Sequence, residues 1–119
     1  MNVAILGASN KPERYSYMAL KRLQSHGHTV FPVHPAFQEI EGVKVYPDLD
    51  ALPRDIDTLT LYVGPEISSK LAEKIIRLNP RRVICNPGAE NAPLANSLRE
   101  KGIQVDEACT LVLLGTNQF

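Results

Sequence analysis

Apolar and polar positions along this chain switch between two periods. Val3 to Leu6 is a short, wholly apolar run that stops at Gly7, and such a run suits a strand covered on both faces. After a polar stretch, Ser16, Ala19, Leu20, Leu23 and Gly27 fall at helical spacing, with Gly27 as the stop. Thr29 to Val33 is β-branched and aromatic and predicts a second strand. The stretch from Pro35 to Pro53 is the least regular. Within it, Val43 to Tyr46 predicts a short strand and Leu49 to Leu52 one helical turn.

Asp57 to Val63 predicts the next strand, ending at Gly64-Pro65. Ile67, Leu71, Ala72, Ile75 and Leu78 then mark one face of a single helix. On its other face Glu66–Lys70 and Glu73–Arg77 stand four apart, in the order that favours ion pairing. Arg82 to Cys85 predicts a fourth strand, closing at Asn86-Pro87-Gly88. Asn91 fits a helix cap with Pro93 in the first turn. Leu94, Ala95 and Leu98 give that helix its buried face, and Gly102 stops it. Ile103 to Val105 predicts a fifth strand, and the tail from Cys109 to Leu114 fits helix or strand. Strands alternating with helices imply crossover connections and a parallel sheet. Right-handed crossovers put helices on both faces. The expected fold is α/β: an open, doubly wound parallel sheet of about five strands.

Composition narrows this picture. A chain of 119 residues is expected to form one domain over 1–119, long enough for a core without staples. Hydrophobic residues at 44% and charged residues at 22% argue against disorder. Lysine plus arginine equals aspartate plus glutamate, 13 against 13, whereas a duplex-binding protein carries a basic surplus. Nucleic acid is therefore not an expected partner. Cys85 and Cys109 form no C-x-x-C pair, and His26, His28 and His34 offer no metal-ligand spacing. No basic-then-apolar leader follows Met1, and Leu111 to Leu114 is too short to span a bilayer. A cytoplasmic, reduced protein is the expectation, monomeric or a homodimer paired through an edge strand.

Ligands of doubly wound sheets bind beyond the carboxyl ends of the strands. Four loops should open there: Gly7-Ala8-Ser9-Asn10-Lys11, Val33-His34-Pro35, Val63-Gly64-Pro65 and Asn86-Pro87-Gly88-Ala89-Glu90-Asn91. In the first, Gly7 permits a tight turn and close approach. The amides that follow, with the helix N-terminus, can donate to a phosphate, and Lys11 and Arg14 add charge. The same residues also suit an ordinary strand-to-helix turn, and neither G-x-G-x-x-G nor the P-loop ending is present. Val63-Gly64-Pro65 fits either a ligand lying against backbone or a plain helix start. Asn86 to Asn91 fits either an amide site or a turn with a cap. His34 has no acid or nucleophile beside it in sequence, and a structural role is favoured. Cys109 is either an accessible thiol or a buried one, burial being favoured; Cys85 belongs to the core.

With these loops placed, the chain resembles the small CoA-binding domain proteins. They are single-domain relatives of the Rossmann-like N-terminal domain of succinyl-CoA synthetase α subunits. The resemblance runs nearly end to end. It is carried by Gly7 to Ser16, Pro32-Val33-His34-Pro35, Val45 to Leu49, Tyr62 to Glu66, Asn86 to Asn91 and Ala108 to Leu111. It implies coenzyme A as ligand, its phosphates on Gly7, Ala8, Ser9, Lys11 and Arg14. It also implies the ribose near Pro32, Val33 and His34, and adenine near Val63, Gly64 and Pro65. The family's cysteine near the end is matched by Cys109. The family commonly has asparagine-proline-lysine after the second strand, where this chain has His34-Pro35-Ala36.

The expectation is a CoA or acyl-CoA binder whose site also takes in Asn86, Pro87, Gly88 and Cys109, without catalysis of its own. Two other classes fit the fold. One is an NAD(P)-binding protein, disfavoured because no acidic residue follows the second strand to hold the ribose diol. The other is an acyl-CoA or redox enzyme using Cys109, although no basic neighbour in sequence activates that thiol. A binding domain with a vestigial pocket is the remaining alternative.

Overall fold

A computed structural model describes residues 1–119. Five parallel strands form the main sheet: β1 (Asn2–Leu6), β2 (Thr29–Val33), β5 (Thr58–Leu61), β6 (Arg82–Cys85) and β7 (Gln104–Glu107). They lie in the order β2-β1-β5-β6-β7. Strand order therefore reverses between β1 and β5, the switch point at which doubly wound folds bind ligands. In register, Leu6 stands opposite both Val33 and Leu61, so the three strand ends are level. A level carboxyl edge is what lets three loops share one cleft.

The helices are α1 (Tyr15–Ser25), α2 (Pro65–Lys70), α3 (Ala72–Leu78), α4 (Ala92–Glu100) and α5 (Thr110–Gly115). The two sheet faces bury separate clusters. Leu20 and Leu23 of α1 and Leu114 of α5 pack with Val3 and Ile5. Ile75 of α3 and Leu94, Ala95 and Leu98 of α4 pack with Ala4, Leu59 and Val83 on the other side. Alternation within β1 sends Val3 and Ile5 one way and Ala4 and Leu6 the other, which is why an unbroken apolar run is needed there. None of these helices is long and apolar enough to cross a membrane.

Three sequence expectations change. The helix expected through Leu78 is two helices. Leu71 leaves the helical region at φ −105°, ψ 5°, and its amide bonds Ser68 at 3.0 Å, one residue closer than helical pairing. The hydroxyls of Ser68 and Ser69 each receive the Asn91 amide at 2.9 Å, tying α2 to the start of α4. The i,i+4 ion pairs on that segment also do not form. Arg77 reaches Asp50 at 3.0 Å and Lys74 reaches Asp48 at 2.8 Å, in the 3-10 turn Leu49–Ala51 and just before it. Finally, the irregular region contains a hairpin, β3 (Glu39–Ile40) with β4 (Val43–Lys44). It is docked on β2 by bonds from Tyr46 to Pro32 and from His34 to Tyr46. The tail that fitted helix or strand is helical.

The amino edge of the sheet is closed by side chains. Arg81 forks onto Asp57 at 3.0 and 3.2 Å, which together with the Thr58 hydroxyl holds the Asp57 carboxyl below its ordinary range. The buried Arg82 donates to Thr58 at 3.2 and 3.3 Å and lies 4.5 Å from the Phe119 ring centre. Phe119 also packs on His28, whose imidazole is lowered chiefly by burial.

Candidate functional site

The opposite edge carries an open cleft of about 780 Å³, within the range of small-molecule sites. Its walls come from the ends of β1, β2 and β5 and from the starts of α1 and α2. At β1 the chain turns at Gly7 with φ +88°. A Cβ there would stand 2.9 Å from Val63 Cγ1 and 3.2 Å from the Tyr62 carbonyl carbon. Glycine is thus required twice, by the left-handed conformation and by the close approach of the β5 end. The Gly7 and Ala8 amides both donate to the Val33 carbonyl, at 3.2 and 3.3 Å. These two amides are engaged within the chain.

The amides that follow differ. Those of Ser9 and Asn10 have no partner in the chain, while Lys11 N–H turns onto Ser9 Oγ at 3.1 Å. Helix α1 begins after Arg14 with no side-chain cap and no acidic residue in its first turn. Its first-turn amides therefore remain free. Lys11 and Arg14 line the same cleft. Free amides, a helix N-terminus and two cations are the ingredients of an anion site.

At the end of β2, Val33 and His34 line the cleft while Pro32 is buried within the strand. His34 Nδ1 accepts the Ala36 N–H at 3.0 Å, so the neutral ring carries its proton at Nε2. The ring stacks on Phe37 with centres 4.3 Å apart. At the end of β5, Val63 lines the cleft. Gly64 and Pro65 lie at the start of α2, outside the lining.

At the end of β6, Pro87 reaches the cleft, whereas Asn86 is buried beneath it. The Asn86 amide donates to Thr60 Oγ1 at 2.6 Å and to the Leu61 carbonyl at 2.8 Å, and its oxygen accepts Thr110 N–H at 2.9 Å. It fixes the start of α5 to the sheet. Gly88 is exposed, its amide held by Glu90 Oε1 at 2.8 Å. Cys109 is half-buried and outside the cleft lining. Cys85 is buried, and burial pushes its thiol up to about 11.

Further lining residues had no ligand role assigned from the sequence: Tyr15, Phe37, Asp48, Tyr62, Ile67 and Leu71. Tyr15 and Ile67 are exposed apolar side chains at the starts of α1 and α2, positions that follow directly from placing a helix after each strand end. The Tyr62 hydroxyl is buried without a hydrogen-bond partner. Burial pushes that phenol up to about 12, against the opposing influence of the nearby Thr110 and Thr60 hydroxyls. No cluster of three or more His, Cys, Asp or Glu side chains is arranged to hold a metal ion.

Comparison with known proteins adds to this geometry. Residues 1–115 match a family model described as a CoA binding domain. The uncharacterised protein YneT of Bacillus subtilis is 29% identical over 100 residues, covering 84% of this chain and 74% of that protein. An ADP-forming acetate–CoA ligase I of Archaeoglobus fulgidus is 26% identical over 97% of this chain, which spans only 17% of that enzyme. Among solved structures, the crystal structure of an uncharacterised protein superposes with a TM-score of 0.92 at 39% identity, covering 99% of this chain and 97% of the other.

Proposed function

The chain belongs to the CoA-binding domain family, homologous to the CoA-binding domain of ADP-forming acetate–CoA ligases, and we propose that it binds coenzyme A or an acyl-CoA in the carboxyl-edge cleft. The observation that carries the reading is the uncapped start of α1, where unpaired amides meet Lys11 and Arg14 in one cleft. A diphosphate is the group that matches this arrangement, since several amides and two cations share its charge without a metal.

In this reading the first loop, from Gly7 through Arg14, holds the diphosphate, with Gly7 and Ala8 shaping the turn rather than donating. Val33 and His34 border the ribose, with Pro32 fixing the strand beneath them. Val63, with Gly64 and Pro65, offers backbone and an apolar surface to adenine. Pro87, supported by Asn86 and Gly88, borders the remaining wall, and Cys109 lies beyond it. Residues 1–119 act as one binding module, and the reading assigns them no chemical step.

Thermal unfolding with CoA, NAD, NADP and ATP is the direct test. A ligand at a hundred times its Kd adds about 2.7 kcal/mol, a rise on the order of 10 °C for a domain of this size. The expected result is such a rise with CoA and a smaller one with the others. A larger rise with NAD or NADP would move the assignment to dinucleotides, and no rise with any ligand would remove it.

A further inference from the structure

We infer that the cleft selects adenosine 5′-diphosphate esters whose ribose carries no phosphate, so that 3′-dephospho-CoA binds at least as well as CoA. The inference rests on the coenzyme A reading for the ligand's general class. Its selectivity comes from how charge is distributed around this cleft.

Both cations that line the cleft, Lys11 and Arg14, stand on the first loop. The wall beyond β2 is made of His34, Pro35, Phe37, Pro47 and Asp48, and it contains no cation. In doubly wound sheets this is the wall that meets the adenosine ribose: an acidic side chain there suits a free diol, and an arginine suits a ribose phosphate. Lysines on neighbouring elements are already engaged. Lys74 holds Asp48 at 2.8 Å, and Lys44 lies 4.9 Å from the Tyr46 ring centre. Neither lines the cleft.

His34 Nδ1 already accepts the Ala36 N–H, which leaves Nε2 as the ring atom open to a ligand, and a single ring N–H suits a hydroxyl. Asp48 is the sole carboxylate lining the cleft, and the hydrogen bond from Lys74 lowers its carboxyl from the ordinary range. A phosphate monoester brings roughly −1.5 to −2 charges. Placed on this wall it meets a carboxylate whose lysine partner is already bound to it, whereas a hydroxyl meets two hydrogen-bonding partners, Asp48 and His34.

The test is calorimetric titration at fixed ionic strength with two ligand pairs: CoA and 3′-dephospho-CoA, and 3′-phosphorylated ADP and ADP. The expected result is that removing the ribose phosphate leaves affinity unchanged or raises it in both pairs. Asp48→Asn should then shift the ratio toward the phosphorylated members by about threefold, a fraction of a kcal/mol for a screened charge. CoA binding more than about threefold tighter than its dephospho form, with the ratio unmoved by Asp48→Asn, would overturn the inference. Binding of ADP in preference to its 3′-phosphate, with neither CoA form bound, would keep the selectivity and remove the coenzyme A reading. Failure of all four to bind would remove both.

Discussion

The two edges of the one sheet are finished in opposite ways. At the amino edge, side chains close over the strand starts: Arg81 on Asp57, Arg82 on Thr58, and Phe119 over the Arg82 guanidinium. At the carboxyl edge, the chain leaves amides of the first loop and of the α1 start without partners and sets Lys11 and Arg14 beside them. Polar groups that satisfy one another stabilise the fold, while groups left unsatisfied at a cleft are available to a ligand. With the proposed binding site, the contrast would divide stability from recognition, one to each edge.

The sharpest way to break this division is Gly7→Ala, because it attacks stability from the recognition edge. The added methyl meets Val63 at 2.9 Å in a left-handed conformation, and strain plus overpacking should cost about 3 kcal/mol. Chemical denaturation would show it; a loss below about 0.5 kcal/mol would mean that the β1 and β5 ends part easily. A matched pair of substitutions sharpens the division. Arg14→Ala should weaken CoA binding by about ten- to a hundredfold, the range for a hydrogen bond to a charged group, and leave stability within about 0.5 kcal/mol. Arg82→Met should do the reverse, costing about 2 kcal/mol of stability through lost bonds to Thr58 and lost contact with Phe119, with affinity unchanged. Equal effects of both variants on both measurements would dissolve the distinction.

The smallest effect concerns pH. Asp57 is held below its unfolded value, chiefly by the hydrogen bond from Arg81. Its contribution is therefore present above the unfolded pKa of about 3.8 and lost as pH falls through the lower folded value. Arg81 is more than half exposed, so the pair contributes less than about 1 kcal/mol. Asp57→Asn should lower stability slightly at neutral pH and flatten its decline below about pH 4, the region where carboxylates titrate. A curve parallel to that of the unsubstituted chain would show that the pair contributes nothing.

Much of this division was legible in the residues themselves. Strands β2 and β6 lie where the β-branched and apolar runs put them, and Asn91 caps α4 through Leu94 N–H. What the residues do not announce is where one segment meets another. The apolar period runs smoothly through Leu71, but the helix breaks there while Asn91 holds Ser68 and Ser69. Glu73 and Arg77 have the right spacing to pair, yet a tertiary partner, Asp50, takes the arginine. The hairpin of β3 and β4 consists of two-residue strands, too short to leave a period. The first loop announced its glycine and its cations, whereas the engagement of the Gly7 and Ala8 amides depends on β2, which lies more than twenty residues away in sequence.

That engagement has a mechanical consequence. The carbonyl oxygen of Val33 receives two amides from the first loop, and the next residue, His34, is fastened to Tyr46 of the segment following the hairpin. A pull on the first loop is therefore transmitted across β2 to the far wall. The jaws of the cleft share one bolt, and displacing either of them loads the other.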